Sequence, residues 1–118
     1  MAWPPRVDEP LPRGADAWFE QPKWSEWILS RRGHGPEWRT ILHVGSEDAD
    51  ALWDAIAAAV VEAPVFGVRV APGGGMLCEV RFELTLRGRR ALTITVWHLA
   101  REGDPPRLVT AYPRPYTR

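Results

Sequence analysis

The sequence predicts an α+β domain in which two or three N-terminal helices pack on a four-stranded antiparallel meander. Apolar residues recur at helical spacing between residues 22 and 62, and from residue 66 onward they alternate with polar residues. Because the helical part comes first, the helices are expected to cover one face of a single sheet. With 118 residues, 45% of them hydrophobic, the chain is long enough to bury the core of one such domain.

Residues 1–14 are predicted to form an extended or disordered arm, and residues 15–118 the single α+β domain. Four prolines in the arm fix backbone angles and remove hydrogen-bond donors. The arm also lacks apolar periodicity. We therefore expect it to stay outside the core and to contribute about 1 kcal/mol or less to stability.

Three helices are predicted before the sheet. The first covers residues 22–30, the second runs from Pro36 to Gly45, and the third runs from Ser46 to about Glu62. Proline suits the first turn of a helix, and Ser46 is a good N-cap followed by acidic residues that complement the positive helix end. The third helix has an apolar stripe for the sheet, formed by Leu52, Ile56 and Val60.

Four strands are predicted after the helices, over residues 66–71, 79–86, 90–99 and 108–112. Pro113 is expected to end the last strand because proline cannot donate to a sheet. The alternation predicts an inner sheet face packed against the third helix and made of Val80, Phe82, Leu84, Ile94 and Val96.

A net charge of zero hides an asymmetry between the two halves of the chain. Residues 1–62 hold 6 Lys/Arg and 11 Asp/Glu, whereas residues 63–118 hold 9 and 4. The overall balance argues against a strongly basic nucleic-acid-binding protein, although the basic half is suited to meeting phosphate. We interpret the acids of the third helix as a solvated face, with an acidic docking site as the alternative.

Several classes of function are disfavoured by the residues present. A single cysteine, Cys78, excludes an internal disulfide and a cysteine-rich zinc site, and we expect it to be a buried structural thiol. The glycines at 73–75 precede a strand and lack the residues of a P-loop. The three histidines fall on different elements, so we expect no metal and no cofactor. No apolar run of about 18 residues occurs, so no membrane span is expected.

His34 and Arg39 are the first candidates for chemistry. His34 stands between two glycines just before the helix that begins at Pro36, so its ring can stay exposed while the free N–H groups of the helix end face an anion. Arg39 is expected to add a guanidinium contact to the same anion. A plain surface loop residue is the alternative for His34, and His43 and His98 are interpreted as structural.

The last strand carries two further candidates, Thr110 and Tyr112. Alternation places both hydroxyls on one face, about 7 Å apart along the strand, where they are able to hold one phosphate. The order of a strand, an acidic-polar turn and the ending Leu-Val-Thr-Ala-Tyr-Pro resembles the C-terminus of bacterial contact-dependent and polymorphic toxin domains with ribonuclease-like folds, the barnase, EndoU, colicin and RelE-like superfold. It also resembles an uncharacterised bacterial domain family with an early His-then-basic pair, a helix and a meander.

The resemblance spans roughly residues 23–113 and implies a toxin-type hydrolase, a metal-independent endoribonuclease-like domain that cleaves RNA through its 2′-OH. It makes His34 the acid or base, Arg39 the phosphate-binding cation, and Thr110 with Tyr112 the residues that orient the scissile phosphate. The partners it implies are a structured RNA such as tRNA and a cognate immunity protein. It implies no cofactor, and a protein that is cytoplasmic or delivered into target cells by a larger system.

The chain departs from the family pattern in two respects that affect catalysis. Arg39 stands where a lysine is often found, and the net charge is zero where free ribonucleases are usually basic. With one clear histidine in the predicted site, Tyr112 or His43 would have to supply the second proton transfer.

Two other functions stay open from the sequence. The first is a non-enzymatic binding module, which requires an exposed apolar patch. The second is an antitoxin or immunity-type partner, whose acidic third helix would cover a basic enzyme surface and must therefore point its acids outward. The enzyme requires instead that the four candidate side chains converge on one cleft.

Overall fold

A computed structural model describes residues 3–20 and 33–115 of the chain. In these residues two α-helices lie against one sheet of four strands. The helices are α1 (Gly35–Leu42) and α2 (Ala49–Val60), and the strands are β1 (Val65–Val70), β2 (Met76–Leu86), β3 (Arg89–Leu99) and β4 (Arg107–Arg114). The strand order is β1-β2-β3-β4 with every pair antiparallel, so the predicted α+β meander is confirmed. The helix predicted over residues 22–30 lies outside the described residues.

Helix α1 begins one residue before Pro36 and is short. Its first backbone bond runs from the Trp38 N–H to the His34 carbonyl, at 3.1 Å, which makes His34 the N-cap residue. It ends at Leu42, because His43 adopts a left-handed conformation with φ 57° and donates its N–H back to the Arg39 carbonyl. The helix therefore stops before Gly45, where the sequence predicted its end.

Helix α2 is preceded by a 3-10 turn over Ser46–Asp48. The α-helix itself begins after Asp48, whose Oδ2 accepts a hydrogen bond from the Gly45 N–H at 3.1 Å. Its predicted apolar stripe of Leu52, Ile56 and Val60 is confirmed as fully buried. Helix α2 packs on β2, whereas α1 packs on β3 and β4.

The inner face of the sheet, which faces both helices, differs from its prediction on β3. On β2, Val80 and Leu84 lie in the core as predicted, and Phe82 packs against the core while partly exposed. The prediction that Ile94 and Val96 share this face is wrong, because Val80 pairs with Thr95. The residues of β3 that face the helices are Ala91, Thr93, Thr95 and Trp97, all fully buried.

The opposite face, which we call the outer face, presents four rows of cross-strand neighbours from β2, β3 and β4. From one end to the other, the rows are Leu77 with His98 and Arg107, Glu79 with Val96 and Thr110, Arg81 with Ile94 and Tyr112, and Glu83 with Leu92 and Arg114. Polar and apolar side chains alternate along this face, and Ile94, between Arg81 and Tyr112, is buried there with 3% exposure.

Strand β4 runs past the proline that was predicted to end it. Pro113 pairs with Thr93 and the strand continues to Arg114, so that prediction is wrong. Because β4 is an edge strand of the four-stranded sheet, it tolerates a residue without an N–H.

The N-terminal segment is part of the packed domain. Leu11 is 3% exposed and belongs to the hydrophobic core. The Asp8 N–H donates to the Val65 carbonyl, and the Val65 N–H donates to the Glu9 carbonyl, both at 2.8 Å. The expectation that this segment stays outside the core is therefore wrong: backbone groups between its prolines bond to β1, and both Leu11 and Trp3 pack with the core.

No helix in the described part of the chain is long and apolar enough to cross a membrane.

Candidate functional site

The centre of the candidate site is a stacked pair of aromatic rings. The His34 ring lies over the Tyr112 ring with centroids 4.9 Å apart and planes inclined by 28°. Helix α1 packs against the edge strand β4, so its N-cap residue meets a side chain that projects from that strand. Two residues 78 positions apart in sequence are thus brought into direct contact.

A carboxylate fixes the orientation of the histidine. Nδ1 of His34 lies 2.6 Å from Oε1 of Glu37, three residues later in the first turn of α1. Because a carboxylate only accepts hydrogen bonds, Nδ1 donates, and the lone pair of Nε2 remains available. The His34 side chain is 28% exposed and that of Glu37 45% exposed, so this pair is open to solvent.

Thr110 lies one row along the outer face from Tyr112. Its cross-strand neighbour is Val96, whereas that of Tyr112 is Ile94, so both residues share the face that alternation predicted. The Thr110 Oγ1 is buried and has no hydrogen-bond partner among the described residues. An unpaired buried hydroxyl costs about 1–3 kcal/mol, and such groups in native structures call for an explanation such as a functional role.

Arg39 lies apart from these three residues. It belongs to the last turn of α1 and its side chain is exposed. Five residues of helix rotate a side chain by about 140° relative to His34, which turns Arg39 to a different side of α1. Among residues 3–20 and 33–115, no hydrogen bond, ion pair or ring contact joins Arg39 to His34, Thr110 or Tyr112.

Two residues of the site were missed by the sequence analysis. Glu37 is one, and the signal that would have found it is a carboxylate three residues after a histidine at a helix start. Arg114 is the other: its Cζ lies 5.7 Å from the centroid of the Tyr112 ring. The sequence pattern that would have identified Arg114 is a basic residue two positions after Tyr112, because residues two apart on a strand project from the same face.

The remaining reactive side chains lie elsewhere. Cys78 is fully buried, and burial raises the pKa of its thiol to about 11, so it is a neutral structural thiol at ordinary pH. His98 Nε2 lies 2.9 Å from the Gly74 carbonyl, and His43 is exposed at the far end of α1. In the part of the chain that the structure describes, no group of three His, Cys, Asp or Glu side chains is placed to hold a metal ion.

Comparison with known proteins returns no relative. No protein-family model, curated protein or solved structure matches the chain. The resemblance of its C-terminal strand to toxin ribonuclease domains therefore stays a hypothesis.

Proposed function

We propose that this chain is a metal-independent endoribonuclease-like domain that cleaves RNA by attack of a ribose 2′-OH on the adjacent phosphate. The observation that carries the proposal is the His34 ring stacked on Tyr112 with its Nδ1 bonded to Glu37. A histidine oriented by a carboxylate is suited to general base catalysis, because the carboxylate selects the tautomer and stabilises the imidazolium that forms.

In the proposed reaction, His34 Nε2 takes the proton from the 2′-OH while the 2′-oxygen bonds to phosphorus. The bond between phosphorus and the 5′-oxygen breaks, and that oxygen leaves with a proton. The products are a 2′,3′-cyclic phosphate and a 5′-OH end. A base, an acid and a cation are sufficient for this chemistry, and the step needs no metal ion.

Tyr112 is the group we propose as the acid for the leaving 5′-oxygen. Its ring is already in contact with that of His34, so both proton-transfer groups can reach one phosphate. The alternative acid is His43, which lies nine residues after His34 at the other end of α1. This spacing corresponds to roughly 13 Å along the helix axis, so His43 is too distant to act on the same phosphate.

Arg114 takes over the phosphate-binding role that the sequence suggested for Arg39. Its guanidinium lies over the Tyr112 ring, where it can pair with the non-bridging oxygens. The start of α1 is a weak site for an anion. Pro36 has no N–H to donate, and the carboxylate of Glu37 places a negative charge there. Thr110 is proposed to contact the phosphate through its unpaired hydroxyl once the residues that cover it shift.

The test is cleavage of a labelled RNA by the purified chain in the presence of EDTA. We expect products with 2′,3′-cyclic phosphate ends, and no cleavage at a position where the RNA carries a single 2′-deoxy substitution. One positioned acid or base contributes about 10²–10⁴-fold in rate, so His34→Ala should reduce cleavage by that factor. His43→Asn is the matched control, because it removes an exposed histidine and keeps a residue that tolerates φ 57°.

Two results would contradict the proposal. One is RNA that stays intact with the wild-type chain under all salt conditions. The other is cleavage that persists in His34→Ala at the wild-type rate, which would assign the activity to a contaminant. If RNA binds without being cleaved, the non-enzymatic binding module becomes the better description.

A second candidate function is an immunity-type partner that covers a basic toxin surface. It is favoured by one observation: Asp50 and Asp54 are exposed on α2 and form no ion pair among the described residues. Calorimetric titration against purified basic ribonuclease toxins tests it. A tight complex that is lost in the double variant Asp50→Lys, Asp54→Lys would support this function, and no binding to any toxin would oppose it.

A further inference from the structure

A pocket lies on the outer face, away from His34. It has a volume of about 250 Å³ and is lined by Trp18, His98, Ala100, Asp104, Pro105 and Arg107. Trp18 forms a parallel bridge with Arg107, and Arg107 pairs with His98. Because cross-strand partners project from the same side of a sheet, these three side chains stand side by side in one row.

Trp18 is held firmly although its ring is open to solvent. Its backbone N–H donates to the Pro106 carbonyl at 3.1 Å, and its backbone carbonyl accepts from the Leu108 N–H at 2.8 Å. Even so, Trp18 is 43% exposed to solvent. An exposed indole on a backbone fixed by hydrogen bonds is the kind of surface on which nucleobases stack.

The charges around this pocket do not favour a phosphate. The Arg107 guanidinium is already paired with Glu20, with 3.1 Å between Nη1 and Oε1. Asp104 adds a negative charge, and its carboxylate forms no hydrogen bond or ion pair within residues 3–20 and 33–115. A neutral ring that offers N–H donors fits this setting better than an anion does.

His98 contributes an acceptor. Its Nε2 lies 2.9 Å from the Gly74 carbonyl, which can only accept, so Nε2 carries the proton. In the neutral ring, Nδ1 is then left as an acceptor. Both Asp104 and His98 therefore present acceptors to the pocket, which favours a ligand with exocyclic amino groups.

We infer that this pocket binds a nucleobase of single-stranded RNA, stacked on Trp18 and hydrogen-bonded through its amino group to Asp104. Adenine, cytosine and guanine carry such an amino group, whereas uracil does not. The inference rests on the proposed function for its RNA substrate. It adds a base subsite four residues along β3 from the Tyr112 row, about 13 Å from the proposed cleavage site.

The experiment measures binding of short single-stranded oligodeoxynucleotides, which cannot be cleaved because they lack the 2′-OH. Fluorescence anisotropy at physiological salt is expected to give tighter binding of an oligomer of cytosine than of one of uracil. Loss of one stacked base weakens binding by about 10-fold or more, which is the expected effect of Trp18→Ala. Trp18→Phe keeps an aromatic ring and should restore most of the affinity, and Asp104→Ala, which removes the acceptor, should remove the preference for cytosine.

Val61→Ala is the control, because Val61 is as exposed as Trp18, at 43%, and lies at the end of α2 rather than on the outer face. If Trp18→Ala stays folded and binds as the wild type does while RNA is still cleaved, the subsite is overturned and the proposed catalysis stands. If binding depends on Trp18 but RNA is never cleaved, the subsite stands and the proposed catalysis falls. Equal affinity for cytosine and uracil in the wild type would overturn the assigned role of Asp104.

Discussion

Two buried threonines of strand β3 differ in how their hydroxyls are satisfied. Thr93 and Thr95 both have no exposed surface and both face the helices. The Thr95 hydroxyl donates to the Val80 carbonyl and accepts from Nε1 of Trp97, each at 2.8 Å. The Thr93 hydroxyl has no hydrogen-bond partner in the part of the chain that the structure describes. At the scale of one residue, the same side chain therefore stabilises the core at one position and weakens it at the other.

Replacing each threonine by valine tests this difference. Thr93→Val exchanges an unpaired hydroxyl for a methyl group of similar size and is expected to raise the free energy of unfolding by about 1 kcal/mol. Thr95→Val leaves Nε1 of Trp97 without an acceptor and is expected to lower it by about 1–3 kcal/mol. Urea denaturation measures both values. If Thr93→Val instead lowers the free energy of unfolding as much as Thr95→Val does, a buried water satisfies the Thr93 hydroxyl.

Cys78 makes stability depend on alkaline pH. Burial raises the pKa of its thiol from 9.0 to about 11 in the folded chain. The folded state therefore keeps its proton where the unfolded state has lost it, so stability is unaffected below pH 9 and falls as the pH rises from 9 towards 11. By pH 10.5 the expected loss from this thiol is about 2 kcal/mol.

The measurement compares urea unfolding at pH 8 and pH 10.5 in the wild type and in Cys78→Ala. The variant is less stable at both pH values because it leaves a cavity, but it should lack this part of the pH dependence. An identical decline in both proteins would assign the alkaline loss to other groups.

At the scale of elements, strand β3 shows where alternation stops being informative. Its predicted inner residues Ile94 and Val96 lie on the outer face, because the register with β2 buries Thr93 and Thr95 on the inner face instead. The positions of the helices and of β2, whose patterns are one-sided, were predictable from the sequence. The contact between His34 and Tyr112 was not fixed by local pattern, because it depends on how α1 packs against the edge of the sheet.

The N-terminal segment is the element whose contribution was most underestimated. We expect Leu11→Ala to lower the free energy of unfolding by about 2–5 kcal/mol, the usual cost of truncating a core leucine. Val7→Ala, at a residue that is 50% exposed, should change it by about 0.5 kcal/mol or less. Chemical denaturation of both variants decides the matter. If both variants change the free energy of unfolding only slightly, residues 3–14 are a loosely attached arm.

At the scale of the whole molecule, the acidic side chains of α2 are separated from the proposed site by the layer of helices. Leu52, Ile56 and Val60 turn one side of α2 to the sheet, so Asp50 and Asp54 point away from it. On the outer face, Arg81 is paired with Glu79, whereas the guanidinium of Arg114 lies over Tyr112. The acids of α2 thus lie on the far side of the helix layer, whereas Glu79 and Glu83 share the outer face with Arg114, in the rows on either side of Tyr112.

This separation gives a prediction for RNA cleavage. The acids of α2 lie more than a helix diameter of about 10 Å from the outer face, which exceeds the screening length of about 8 Å at physiological salt. The double variant Asp50→Asn, Asp54→Asn should therefore leave kcat/KM within about twofold of wild type. Arg114→Gln removes a charge-assisted contact to phosphate and should lower kcat/KM by about 10-fold or more. Assays at 50 and 150 mM salt would separate the two, because only the Arg114 variant should show a weaker salt dependence than wild type. A large effect of the aspartate changes with none at Arg114 would place the RNA on the helix side and contradict the proposed site.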